Sequence, residues 1–141
     1  MKEFNWDRTW ETGHPLIDSQ HKQLMEAINA LLQAIYQNAG KDEVKNTLDF
    51  LNDYTIKHFF DEERLQKKYN YPDIENHKQY HQAFKKTVRD MIVELINRGI
   101  TDELAEKVQS SIGDWLVNHI KIQDFKLVAH IKSQDPEALV K

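Results

Sequence analysis

Seven residues in this chain could do chemistry together: His21, His58, Glu62, His77, His81, His119 and Asp124. All seven fall on the inward seams of four predicted helices. Imidazoles buried without partners cost several kcal/mol in unmet polar demand, so no apolar core needs five of them at one level. A metal cluster removes the contradiction, because ring nitrogens and carboxylates become ligands. His58 and Glu62, and likewise His77 and His81, are spaced i,i+4. That spacing leaves two side chains about 40° apart on one helix face. His119 and Asp124 are spaced i,i+5, which separates them by about 140° on a regular α-helix. The sequence therefore predicts either a π-type bulge between them or an aspartate that reaches across.

The donor set constrains the metal. The chain has no cysteine, which excludes thiolate zinc sites, iron–sulfur clusters and disulfides. Zinc prefers four ligands and has no redox chemistry. Imidazole with carboxylate suits iron, with manganese second. Five imidazoles, two carboxylates that each span both metals and one oxo or hydroxo bridge fill all but one position of two octahedra. The open position suits a small exogenous ligand. Di-iron oxidases use four carboxylates and paired Glu-x-x-His motifs, and this chain has no such motif on its seams. A carboxylate-poor set stabilises high-valent iron less well, so reversible capture of dioxygen is the better fit.

The elements that must position these residues are legible from periodicity. The chain has 141 residues with 40% hydrophobic and 30% charged content, enough for one domain with a real core. Only 4 Gly and 3 Pro interrupt it, which favours long helices. Seams recur every three or four residues: Leu24, Ile28, Leu31 and Ile35; then Val44, Leu48, Leu51, Thr55 and Leu65; then Phe84, Val88, Met91 and Leu95. Helices are predicted from Asp18 or Ser19 to about Asn38, from about Lys41 to Lys68, from Asp73 to Arg98, and from Thr101 towards Lys132. Gly40 is expected just past the first helix and Gly99 past the third. Short connections predict an all-α, antiparallel up-down-up-down four-helix bundle. A single domain would comprise an extended N-terminal arm over 1–18, the bundle over 19–132 and a frayed tail over 133–141. Antiparallel packing brings all seven candidate ligands to one end of the bundle.

Four segments resemble the hemerythrin family in its bacterial form: Gly13-x-x-x-Ile17-Asp18-x-Gln20-His21, His58-Phe59-x-x-Glu62-Glu63, Tyr71-Pro72-x-x-x-x-His77-x-x-x-His81-x-x-Phe84, and Trp115-Leu116-x-x-His119-Ile120-x-x-x-Asp124. The likeness spans about residues 6–128. It implies two iron ions in a non-haem, oxo- or hydroxo-bridged pair, with Glu62 and Asp124 as bridges. It further implies His77, His81 and His119 on one iron, and His21 and His58 on the iron that keeps the open position. The family's apolar oxygen pocket carries over to Phe59, Trp115, Leu116 and Ile120, with Leu24 nearby. Leu65 stands where bacterial members often carry Met, a swap of similar volume.

The expected function is dioxygen storage, transport or delivery, with dioxygen as ligand and no enzymatic role. An oxygen or redox sensor is the first alternative, and a di-iron enzyme acting on peroxide or nitric oxide the second. A net charge of -4 without a basic stripe argues against nucleic acid. No leader and no long apolar run are visible, so a cytoplasmic protein without membrane contact is expected, monomeric or homo-oligomeric. Its protein partner is not legible. His14 and His130 have no seam partner and read as structural or surface residues. Glu63 reads as solvated on another face, and Trp6 and Trp10 as anchors of the arm.

Overall fold

Four long helices carry the chain: α1 (Pro15–Tyr36), α2 (Lys41–Lys68), α3 (Ile74–Arg98) and α4, residues 102–134. The computed structural model describes residues 3–139, and no strand occurs among them. The parts of the predicted arm and tail at residues 1–2 and 140–141 lie outside the described residues. None of these helices is long and apolar enough to cross a membrane.

Contacts at both ends set successive helices in opposite directions. Gln20, early in α1, meets Asp61, late in α2, at 2.8 Å, while Lys41 at the start of α2 donates to the Ile96 carbonyl near the end of α3 at 2.9 Å. Gln109, early in α4, donates to the Tyr36 hydroxyl at the end of α1 at 2.7 Å.

The helix ends follow capping chemistry, with two departures from the sequence reading. α1 starts ahead of Asp18. Pro15 occupies its first turn, where a missing N–H costs nothing, and His14 Nδ1 accepts from the Ile17 N–H at 3.4 Å. Asp18 instead turns back to the arm, accepting from Thr12 N–H at 2.9 Å and Gly13 N–H at 3.0 Å. Gly40 stands just ahead of α2 with φ 97°, while at the other end of α1 the left-handed position nearest the helix falls to Asn38, with φ 53°. Asparagine tolerates that conformation, and the Ala39 N–H closes the turn onto the Ala34 carbonyl. Thr101 caps α4 through Leu104 N–H at 3.0 Å, and Gly99 ends α3 with φ 74°. α4 runs on to Gln134, and Pro136–Leu139 forms a 3-10 turn where a frayed tail is predicted.

Two apolar clusters are stacked along the bundle. The large one holds Leu24, Ile28, Leu51, Phe59, Val88 and Leu116 among others; the small one holds Ile17, Tyr71, Leu127, Val128 and Ile131. His21 on α1 lies between Ile17 of the small cluster and Leu24 of the large one, and Asp124 on α4 between Ile120 of the large and Leu127 of the small, so the polar site is a layer inside the bundle with apolar packing on both sides. Leu65 is the one seam residue that misses: it is half-buried against the small cluster, and Gln66 is the fully buried residue there.

α4 is not a regular helix. Two π segments, Val108–Asp114 and Ile120–Asp124, interrupt its α-helical turns. Their i→i+5 bonds run from Trp115 N–H to the Ser110 carbonyl and from Phe125 N–H to the Ile120 carbonyl. The second was foreseeable from the i,i+5 spacing; the first was not. Its marker is Gly113, a lone glycine inside a helical pattern. The arm explains it: the buried Phe4 ring lies where a β-carbon on residue 113 would stand. Asn29 fixes the arm, accepting from Phe4 N–H at 2.7 Å and donating to its carbonyl at 3.1 Å. Gly→Ala inside a helix ordinarily stabilises by about 0.5–1 kcal/mol. Gly113→Ala should instead cost about 1–3 kcal/mol through overpacking. Urea unfolding checks the sign, and a more stable variant would show that Phe4 is not seated there. Trp6 and Trp10 meet edge-to-face at 5.8 Å and pack on the core, as arm anchors should.

Candidate metal centre

The structure brings all seven candidate ligands together. His21 comes from α1, His58 and Glu62 from α2, His77 and His81 from α3, and His119 and Asp124 from α4; none is more than 5% exposed. The two carboxylates sit at the middle. Glu62 Oε1 lies 2.7 Å from His77 Nε2 and 3.0 Å from His81 Nε2, and its Oε2 lies 3.3 Å from His58 Nε2. Asp124 Oδ1 lies 3.0 Å from His77 Nε2 and 3.2 Å from His119 Nε2, and its Oδ2 lies 2.9 Å from His21 Nε2.

These contacts resolve into two overlapping groups. His77, His81 and His119 form one with both carboxylates; His21 and His58 form the other with the same two carboxylates. In each group the ligand atoms lie within 4.8 Å of one another. The π segment makes this possible. The extra residue in its turn lets His119 and Asp124 share a face as an i,i+4 pair does in a regular helix.

Electrostatics tie the cluster together. Burial opposes ionising Glu62, but His58, His77 and His81 together hold its carboxyl well below the usual range. Burial and the Glu62 charge both push Asp124 up, yet His119 and His21 keep it below its ordinary value. Burial disfavours a proton on His77, but Asp124 and Glu62 outweigh it and raise the pKa to about 10. His81 is raised in the same way, against burial, by Glu62 and Glu63. His58 is lowered, since burial exceeds what Glu62 returns. Carboxylates kept ionised beside imidazoles are sites where a metal cation displaces protons.

Outer contacts orient the rings. His58 Nδ1–H donates to Gln20 Oε1 at 2.7 Å, and Gln20 Nε2 donates to Asp61 Oδ2 at 2.8 Å. Glu63 corrects the sequence reading: it is not a solvated bystander, because its Oε2 lies 3.0 Å from His81 Nδ1. It reaches sideways from α2 to α3, a placement that helix periodicity alone does not reveal. Phe59 stacks on His81 at 3.8 Å, and Trp115 stacks on both His119 and Phe84 at 4.8 and 4.5 Å. Leu24, Leu116 and Ile120 are fully buried in the large cluster. At the surface a cleft of about 170 Å³ opens over His119, walled by Tyr80, Trp115 and Ile122. His14 is buried as the α1 cap, and His130 Nε2 bonds the Tyr69 carbonyl at 2.6 Å, so both are structural.

The residues fit a metal group. His21 Nε2, His58 Nε2, Glu62 Oε2 and both Asp124 oxygens are buried without a hydrogen bond, although other donor atoms of the cluster stand close by. Such a concentration of orphans is costly unless the atoms serve as ligands.

Comparison with known proteins agrees with this. Residues 12–131 match the family described as Hemerythrin HHE cation binding domain. The chain is 31% identical over 123 residues to a myohemerythrin of Theromyzon tessulatum, covering 87% of this chain and 89% of that one. A bacteriohemerythrin of Stenotrophomonas maltophilia is 29% identical over 130 residues, covering 91% and 81%. A hemerythrin-like protein of Naegleria gruberi is 33% identical over 129 residues, covering 87% and 89%.

Proposed function

The chain belongs to the hemerythrin family, and from that premise we propose that it binds dioxygen reversibly at a non-haem di-iron centre, for storage, transport or delivery. His77, His81 and His119 hold one iron and His21 and His58 the other, with Glu62 and Asp124 shared. The observation that carries this reading is the unequal division of the cluster: three imidazoles in one group, two in the other, the same carboxylates in both. The smaller group leaves room for a small exogenous ligand. When bound, the iron pair supplies the electrons for capturing dioxygen and takes them back on release.

The protein's own residues protect that exchange. Phe59, Leu24, Leu116 and Ile120 give the layer a dry wall on the large-cluster side, and Trp115 covers His119 from outside. Water is kept from the buried carboxylates, which strengthens every interaction they make. The matched family description, a cation binding domain, and the relatives' names, myohemerythrin and bacteriohemerythrin, support a hemerythrin-type metal centre. A cytoplasmic protein, monomeric or homo-oligomeric, completes the reading.

Purified protein should carry about two irons per chain by elemental analysis. After anaerobic reduction, admitting oxygen should produce a visible charge-transfer band that disappears when oxygen is removed. Irreversible bleaching with product formation would favour an enzyme and defeat the proposal.

A further inference from the structure

Two imidazoles on opposite halves of the centre rest on chemically different acceptors. His58 Nδ1 meets the neutral amide of Gln20 at 2.7 Å, whereas His81 Nδ1 meets the Glu63 carboxylate at 3.0 Å. Both rings are buried, so these contacts are not averaged out by water. An amide acceptor fixes the tautomer, leaving Nε2 free for metal. A carboxylate does that and also draws the Nδ1 proton towards itself, making the ring a stronger electron donor. Gln20 is itself committed, donating to Asp61 at 2.8 Å. Its amide therefore cannot turn to present nitrogen to His58.

Resting on the di-iron reading above, we infer that Gln20 and Glu63 are positioning residues that make the two irons unequal. The half built on His77, His81 and His119 holds its metal tightly and favours the ferric state. The half built on His21 and His58 releases metal first and is the easier to keep ferrous. The third imidazole of the tight half acts in the same direction, so the test must isolate the acceptors.

Timed removal of iron from the loaded protein by a chelator does so, followed by visible absorbance and elemental analysis. The wild type should lose iron in two phases. Glu63→Gln makes the two acceptors alike and should speed the slow phase by about 10–100-fold, leaving the fast phase in place. Glu63→Asp, which keeps a carboxylate, should recover part of that loss. Gln20→Glu with Asp61→Asn, which keeps a donor beneath the new carboxylate, should slow the fast phase. Stepwise reduction should show one potential moving upward in Glu63→Gln while the helical circular dichroism stays unchanged. Single-phase release from the wild type, or a Glu63→Gln variant that alters neither phase or both equally, would overturn the inference. A wild type that never holds about two irons would instead remove the di-iron reading, and this inference with it.

Discussion

Replacing Glu62 with alanine is expected to empty the centre. Its two oxygens meet His58, His77 and His81 at 3.3, 2.7 and 3.0 Å. It also belongs to both ligand groups. Among the described residues no other carboxylate except Asp124 belongs to both groups, so one substitution removes a donor from each half. Iron content should fall from about two per chain to below one, and the oxygen-dependent band should vanish. Stability should drop by about 3–5 kcal/mol, the size seen when one member of a buried charged set is deleted. Elemental analysis and urea unfolding measure the two effects. A variant that retains both irons would show that Glu62 is not a shared ligand.

His58→Ala should be milder for the fold and nearly as severe for oxygen. His58 belongs only to the smaller group, so its loss leaves the His77, His81 and His119 half complete. The expected product is a folded protein with about one iron per chain and no oxygen-dependent band. The bundle should lose about 1–3 kcal/mol, because Gln20 is left facing a cavity with one acceptor unpaired. Unfolding monitored by circular dichroism, alongside oxygen titration, separates the two substitutions. Unchanged oxygen binding in this variant would sink the assignment of the open position to the smaller half.

Much of the site was legible because helices impose a simple rule on spacing. His58 with Glu62, and His77 with His81, had to share faces once the seams were recognised. The i,i+5 interval between His119 and Asp124 was itself a structural statement, and the π segment at Ile120–Asp124 answers it. What stayed hidden depends on neighbours in space. Glu63 is adjacent in sequence to a candidate ligand, but its partner His81 lies on another helix. Gln20 likewise serves His58 across the α1–α2 interface. Gly113 made no sense within its own helix and becomes intelligible only through Phe4 of the arm.

Residue types and periodicity were enough to determine four amphipathic helices, their short connections and a buried ring of imidazoles and carboxylates. The reason is local: caps, turn residues and the 3.6-residue repeat act within one or two turns. Tertiary structure supplied the contacts that divide the seven donors into a group of five and a group of four, sharing Glu62 and Asp124, a division the family resemblance implied and no spacing within one helix shows. It also decided that this layer lies between two apolar clusters rather than at an open end. Both depend on the axial offset and rotation of packed helices, which are set by how whole faces interlock. No single helix encodes them.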